Sequence, residues 1–394
     1  MSDYLAYTSD LGDRPPLRVM QIVAAGEFGG AETQILALLR ALREYPVQVL
    51  VATFYDGEFA KRARELGIAV QVLSAATPIH DYFQVKKAAL RFAPQVIHTH
   101  GVRASVAGRL FGDKLDIPVV TTVHSDLYYD YDQPVKRALM MTMEYFTREQ
   151  STRVIAVSAA LARTLQTRGY SADQIAVITN GIDVAQAERA IGEAKKHPAQ
   201  IKDHLNIPAD AHLVISVARL QPVKHLSALI NAVAGIRTVA GHPVHLLLVG
   251  DGPDREALTQ QAVALASQEG SARIHLLGQR HDVVALLLEA QVFALPSLME
   301  GMPISIMEAM SCGLPVVASG VGGIPDVVEI GGGATGILVP PTDEKALQAA
   351  ITSLLQDDKQ RQHMGQQAQR RVREHFSLAQ MVAHTHDAYL NMAK

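Results

Sequence analysis

Cys312 is the only cysteine in 394 residues, so no disulfide can close within the chain. It lies in a stretch of small residues between a helical and an apolar run, where a thiol packs as a small hydrophobe rather than serving as a nucleophile. Clustered positive charge is also lacking. The 36 Lys and Arg face 39 Asp and Glu, the formal charge is -3, and no run of five or more cations occurs. This excludes the electrostatic footprint of non-specific nucleic-acid binding, and no nucleic-acid partner is expected. No uninterrupted apolar run approaches the roughly 20 residues of a membrane span, and residues 1–16 are polar without the apolar core of a signal peptide. The expected compartment is the cytoplasm. His98, His100 and His124 end two candidate strands, but no HExxH or accompanying Cys or Glu completes a zinc pattern, so no metal and no other cofactor is expected.

The chain is longer than one hydrophobic core usually serves, and its 48% hydrophobic content is enough for two. Short Val/Ile/Leu-rich runs alternate with longer helical patterns, as parallel sheets covered on both faces require. Strands are expected at 18–25, 47–54, 69–73, 96–100, 119–124, 154–158 and 176–179, and the rhythm repeats at 213–219, 245–250, 274–278, 292–296, 315–319 and 336–339. Between the two sets, 183–210 is charged, holds Pro198 and Pro208, and shows helical spacing without a strand. The expected class is α/β, with two doubly wound parallel sheets in sequence. Such sheets bind ligands beyond the carboxyl ends of their strands, where the informative residues of this chain fall.

The densest cluster is LPSLMEGMPISIMEAMSCGLPVVAS, residues 295–319. An apolar strand passes through a turn into a helix that Pro303 is expected to open as its first residue. The free amides from Ile304 and Ser305 onward then present the positive end of the helix dipole to an anion such as a diphosphate. Glu300 precedes the helix and Glu308 lies inside it, so the two carboxylates can accept hydrogen bonds from different hydroxyls of one ligand. Upstream, Arg219 and Lys224 leave one strand end, a planar fork and a compact charge suited to a diphosphate. In the first half, Gly26-Glu27-Phe28-Gly29-Gly30-Ala31-Glu32 follows the first strand and allows close backbone approach. Gly250-Asp251-Gly252 lacks the third glycine of a dinucleotide fingerprint. Asp130-Tyr131-Asp132 has the form of a DxD metal motif but sits in a polar aromatic loop, SDLYYDYDQP, whose rings suit sugar or lipid-linked groups. Residues 134–149 place Lys136, Arg137 and Arg148 beside Leu139, Met140, Met143, Tyr145 and Phe146, a stripe read as a core helix ahead of a membrane-facing one, since ordinary core helices share its spacing.

The glutamate pair with seven residues between, followed by EAMSCGLPVVAS, resembles the donor site of the retaining family-four glycosyltransferases. The resemblance extends along nearly the whole chain. It implies the GT-B fold: two Rossmann-like domains facing a cleft, an acceptor-binding domain at 1–182, a nucleotide-sugar-binding domain at 183–375, and a helix at 376–394 crossing back to the first. It also implies residue roles. Glu300 would touch hydroxyls of the transferred sugar, Glu308 the nucleotide ribose, and Arg219 and Lys224 the diphosphate, with His124 against the sugar ring; His124, Arg219, Lys224 and Glu300 form the implied catalytic group. Donor contacts would come from Gly29, Gly30, Gly278, Arg280, Gly301, Met302, Ile304, Ser305 and Glu308, and acceptor-side contacts from Glu32, His100, Asp126 and Tyr128. Many relatives carry Phe and Gly where this chain has Met302 and Pro303, which removes one amide from the phosphate side, and often have Glu where Asp326 stands. The implied activity is metal-independent, retaining transfer of a sugar from a nucleoside diphosphate, UDP first, to a glycan, lipid-linked or small hydroxyl acceptor, in surface glycan or glycolipid synthesis, with a peripheral contact at the inner face of the membrane as a further expectation. The alternatives are a nucleotide-sugar epimerase of the same architecture and a non-catalytic nucleotide-sugar-binding subunit. Sugar, acceptor, linkage and oligomeric state are left open.

Overall fold

The computed structural model describes residues 15–26, 28–73, 78–131, 133–267 and 273–393. These cluster into two compact units, one comprising residues up to Gly181 together with those from Leu378, the other Ile182–Ser377. Of the sequence motifs, Glu27, Asp132 and residues 1–14 lie outside the described residues.

The first unit is built on seven parallel strands: β1 Leu17–Val23, β2 Val47–Thr53, β3 Ala69–Val72, β4 Val96–His100, β5 Val119–Val123, β6 Arg153–Ala156 and β7 Ile175–Val177. Their order is β3-β2-β1-β4-β5-β6-β7, so the winding reverses between β1 and β4, the switch point at which such sheets open a crevice. Val19, Met20, Ile22, Ile97, Val119 and Val120 are fully buried, as expected of strands covered on both faces. Register pairs Val23 with His100 and His100 with Thr122, which aligns the three central strand ends. The helix Leu378–Leu390 belongs to this unit, where Leu378, Met381, Val382 and Tyr389 join the core beside Val19, Leu38 and Val96.

In the second unit β8 His212–Val217, β10 His242–Val249, β11 Arg273–Gly278, β12 Val292–Leu295, β13 Val316–Ser319 and β14 Gly336–Val339 are parallel, in the order β11-β10-β8-β12-β13-β14. The sequence reading missed β9, Thr238–Val239, which pairs antiparallel with the start of β10. Its turn depends on Gly241 at φ 88°, and two residues are too few to show periodicity. Helix starts are capped by carboxylates: Asp183 accepts from the Gln186 amide at 2.8 Å and Asp343 from Ala346 at 2.9 Å. Where the chain enters and leaves this unit, Ile182 N–H donates to Phe376 O at 2.9 Å, tying the two crossings together.

Candidate active site

In the second unit three loops follow β8, β12 and β13 and are stapled by backbone contacts. Leu298 N–H donates to Val223 O at 2.8 Å, and Gly323 N–H to Glu300 O at 3.0 Å. Gly322 has φ 52°, and a Cβ there would stand 1.9 Å from Glu300 O, so only glycine permits this approach. The loops bring Lys224 to Glu300: Nζ donates to Oε1 at 2.6 Å, and Ser297 Oγ donates to the same oxygen at 2.6 Å. Glu300 is buried and Lys224 largely so. Ser297 was missed in the sequence, although it stands three residues before Glu300 in the same turn.

Pro303 is the N-cap, with φ -76° and ψ 117°, and the helix is Ile304–Ser311. This corrects the placement of Pro303 as first helical residue: its extended ψ turns the chain into the helix, and Ile304 begins it. The first-turn amides that follow lack intrahelical partners by construction. Gly301 and Met302 are buried behind this turn, while Ser305 is half-buried. Glu308 reaches solvent on the outer side of the helix, yet the protein around its carboxyl desolvates it and pushes its pKa up to about 7. Burial, reinforced by Glu308, pushes the Cys312 thiol up to about 12, consistent with an inert packed residue. Arg219 is half-buried just past β8. Arg280 does not present an open fork: its guanidinium is held by Asp282 at 2.8 and 2.6 Å, beside Gly278 at φ 68°. The Gly250 turn serves packing, since a Cβ there would meet Ala218 O at 1.9 Å.

In the first unit the strand ends carry a hydrogen-bonded chain. Gln21 Nε2 donates to Tyr389 Oη at 3.0 Å, which turns its carbonyl to His100 Nε2 at 2.6 Å. His100 therefore carries its proton on Nε2, and its Nδ1 accepts from His124 Nε2 at 3.0 Å. His124 Nδ1 is left as a buried lone pair with no partner among the described residues. Reversing the Gln21 amide would instead strand a buried N–H there, the costlier orphan. Tyr389 gives its own proton to His98 Nδ1 at 2.6 Å, and His98 Nε2 donates to Thr122 Oγ1 at 2.7 Å. The network is neutral. Burial, and then the neighbouring histidines, lower His98 to about 3 and His100 well below the usual range, while burial lowers His124 to about 4. Gln21 and Tyr389 were not singled out in the sequence; the only available signal was a Gln inside the apolar run Leu17–Val23.

Two acceptor-side expectations change. Glu32 folds back to accept from the Gly29 amide at 3.0 Å, so it closes the start of helix Gly30–Ala41 and that amide is not open to a ligand. Asp126 is buried and structural, accepting from Tyr128 N–H at 2.8 Å and from the Arg168 guanidinium. Tyr128 is exposed, with the Arg137 guanidinium 4.4 Å above its ring. Asp130 reaches solvent and accepts from Ser125 Oγ at 2.9 Å, yet the protein around its carboxyl desolvates it and pushes its pKa up to about 6. Among the described residues no group of three metal-ligating side chains converges, and no helix is long and apolar enough to cross a membrane.

Two doubly wound units, the second with a Lys–Glu pair and a helix N-terminus at its strand ends, are the build of a GT-B glycosyltransferase. The comparisons make this specific. Residues 28–186 match the family model described as Glycosyltransferase Family 4, and residues 199–371 that described as Glycosyl transferases group 1. The chain belongs to the family-four glycosyltransferases and is an enzyme of that class. It is 30% identical over 391 residues to the alpha-maltose-1-phosphate synthase of Mycolicibacterium smegmatis, covering 92% of this chain and 95% of that protein. It is 29% identical over 296 residues to the N-acetyl-alpha-D-glucosaminyl L-malate synthase of Bacillus anthracis, covering 75% and 73%. Its fold matches the crystal structure of Anabaena HepE in complex with UDP-glucose, with a TM-score of 0.79 and 24% identity over 94% of this chain and 100% of that one.

Proposed function

We propose that the protein is a retaining, metal-independent glycosyltransferase that moves a sugar from a nucleoside diphosphate, UDP first, to a hydroxyl acceptor in cell-surface glycan or glycolipid synthesis. The observation that carries this reading is the Lys224–Glu300–Ser297 cluster beside the first turn of helix Ile304–Ser311. It sets a cation and amide donors next to a carboxylate that can accept from sugar hydroxyls. HepE, which shares the fold, is described with UDP and UDP-glucose, in keeping with a UDP-sugar donor here. In the reaction the bond from the anomeric carbon to the diphosphate oxygen breaks and one from that carbon to the acceptor oxygen forms. The acceptor proton passes to the departing diphosphate. Arg219, Lys224 and the helix amides stabilise the charge that develops on the leaving group, work that a metal ion does in other transferases. Glu300 is engaged with Lys224, which argues against a free carboxylate nucleophile and for substitution on one face. Glu308 is assigned to the ribose hydroxyls.

The test is NMR of the product formed in EDTA from an α-linked UDP-sugar and a hydroxyl acceptor. An α-linked product in the presence of chelator is expected. A β-linked product would overturn retention, loss of turnover in EDTA would overturn metal independence, and an isomeric nucleotide sugar without transfer would restore the epimerase.

A further inference from the structure

The first unit contains a cavity of about 550 Å³ that begins at the strand ends, where Glu32, His100 and His124 line it, and runs beneath helix Pro134–Thr147 to Met141 and Tyr145. It is partly open to solvent, with the exposed Asp130 and Tyr145 in its lining, so it is a cleft that a ligand can enter rather than a sealed void. The helix is not packed onto the sheet: Thr147 is its only buried residue, while Val135, Leu139, Tyr145 and Phe146 are 84, 54, 56 and 74% exposed. A polar strut holds it instead. The fully buried Arg109 grips Glu144 through both guanidinium nitrogens, at 2.8 and 3.1 Å, and also donates to Ser151 at 2.7 Å and to Tyr170 at 3.1 Å. The core-helix reading of this segment therefore does not hold.

The charged side chains that line the cavity each have a partner: Glu32 accepts from the Gly29 amide and Asp130 from Ser125 Oγ. Glu144 is neutralised by Arg109, and Arg168 pairs with Asp126. Arg148 donates to the Gly169 and Tyr145 carbonyls and lies 3.9 Å from the Tyr145 ring. The remaining wall is largely aliphatic, with Val23, Ile35, Val102, Leu127 and Leu165. An anionic or strongly hydrated occupant finds little there to replace its water, whereas an apolar one does.

We propose that this cavity binds the apolar portion of an amphipathic acceptor, an alkyl or aryl group whose hydroxyl-bearing head lies at the His100 and His124 end. The inference rests on the transferase reading and narrows its acceptor class. The cavity is continuous with the His100 strand end, which the transferase reading assigns to the acceptor side, and this makes the occupant an acceptor rather than a separate ligand.

The test is calorimetric titration of the full-length protein, without nucleotide, using monomeric alkyl β-D-glucosides from butyl to octyl, with glucose as the headgroup control. Affinity should rise roughly fourfold per added methylene, and glucose alone should not bind measurably. Met141→Trp and Val102→Phe, two residues that line the cavity, should each flatten that dependence, with melting curves confirming a folded protein. A flat dependence in the wild type, or a steep one unchanged in both folded variants, overturns the proposal. Because the titration needs no donor, a flat dependence with intact sugar-nucleotide turnover removes this inference alone. A steep dependence that the variants flatten, without turnover of any donor, removes the transferase reading alone.

Discussion

Replacing Lys224 with Met keeps the length of the side chain and removes its charge, leaving Glu300 buried with only Ser297 as donor. The pair is 2.6 Å apart, with side chains 18 and 8% exposed, so bulk water can take over little of the lost interaction. Losing one partner of a buried pair typically costs about 3–5 kcal/mol. Because Ser297 still donates to the same oxygen and the lysine keeps some solvent access, the lower end, about 3 kcal/mol, is expected. For a unit of this size that corresponds to a fall in Tm of roughly 6–12 °C. Calorimetry of the wild type, Lys224→Met, Glu300→Gln and the double variant gives the thermodynamic cycle. The double variant should recover part of the lost stability, since neither charge is then stranded. It should not recover activity: donor turnover in Lys224→Met and in the double variant should both fall about 10²–10³-fold if the ammonium stabilises the leaving diphosphate as oxyanion donors do. Effects on stability that add within about 0.5 kcal/mol would show the two side chains to be uncoupled, and the argument for the pair would fail.

Other outcomes follow from the first unit. Arg109→Met should destabilise by about 3–5 kcal/mol, because Glu144 is left without its buried cation, and should increase hydrogen exchange in helix Pro134–Thr147 more than in the strands; helix exchange equal in wild type and variant would contradict the strut. Tyr389→Phe preserves shape but strands the Gln21 amide and His98 Nδ1, so a loss of about 1–3 kcal/mol is expected, and a stability unchanged in denaturant titration would contradict the assigned network. The pH dependence has two opposing parts. His98 is lowered to about 3 and binds its proton mainly when unfolded, so its contribution is complete above 6.5 and is lost as pH falls toward 3, at about 1.4 kcal/mol per pH unit. Asp130 is raised to about 6, so its contribution is complete below about 4 and is lost as pH rises through 6. The difference in Tm between wild type and Asp130→Asn should therefore change between pH 4 and 7 and be flat outside that window; a flat difference throughout would refute the shift.

Much of the fold is legible because parallel strands buried on both faces are written as uninterrupted apolar runs. Val292–Leu295, VFAL, could be read that way and forms a central strand. The pair Thr238–Val239 could not, since its pairing depends on one turn rather than on a pattern. At the site, residue types and their places after strands were readable, but partners were not. Tyr389 meets Gln21 across 368 positions, and Lys224 meets Glu300 across 76, contacts set by chain topology that no local spacing encodes. The same limit explains Glu32 and Asp126. Each is a carboxylate beside a candidate site, and only the hydrogen bonds from Gly29 and from Tyr128 and Arg168 show that they hold their own loops. Residues 134–149 have the spacing of a core helix, and only their lack of burial distinguishes them from one.

The most direct test of the central claim is release of nucleoside diphosphate from a panel of UDP-, GDP- and ADP-sugars by the purified protein in EDTA without acceptor, since transferases leak slowly to water. Release from one UDP-sugar, abolished in Glu300→Ala and at least 100-fold slower in Lys224→Met, about 2.7 kcal/mol of transition-state stabilisation, is the result the account predicts. Release that requires a divalent cation, or that persists unchanged in both variants, would contradict it.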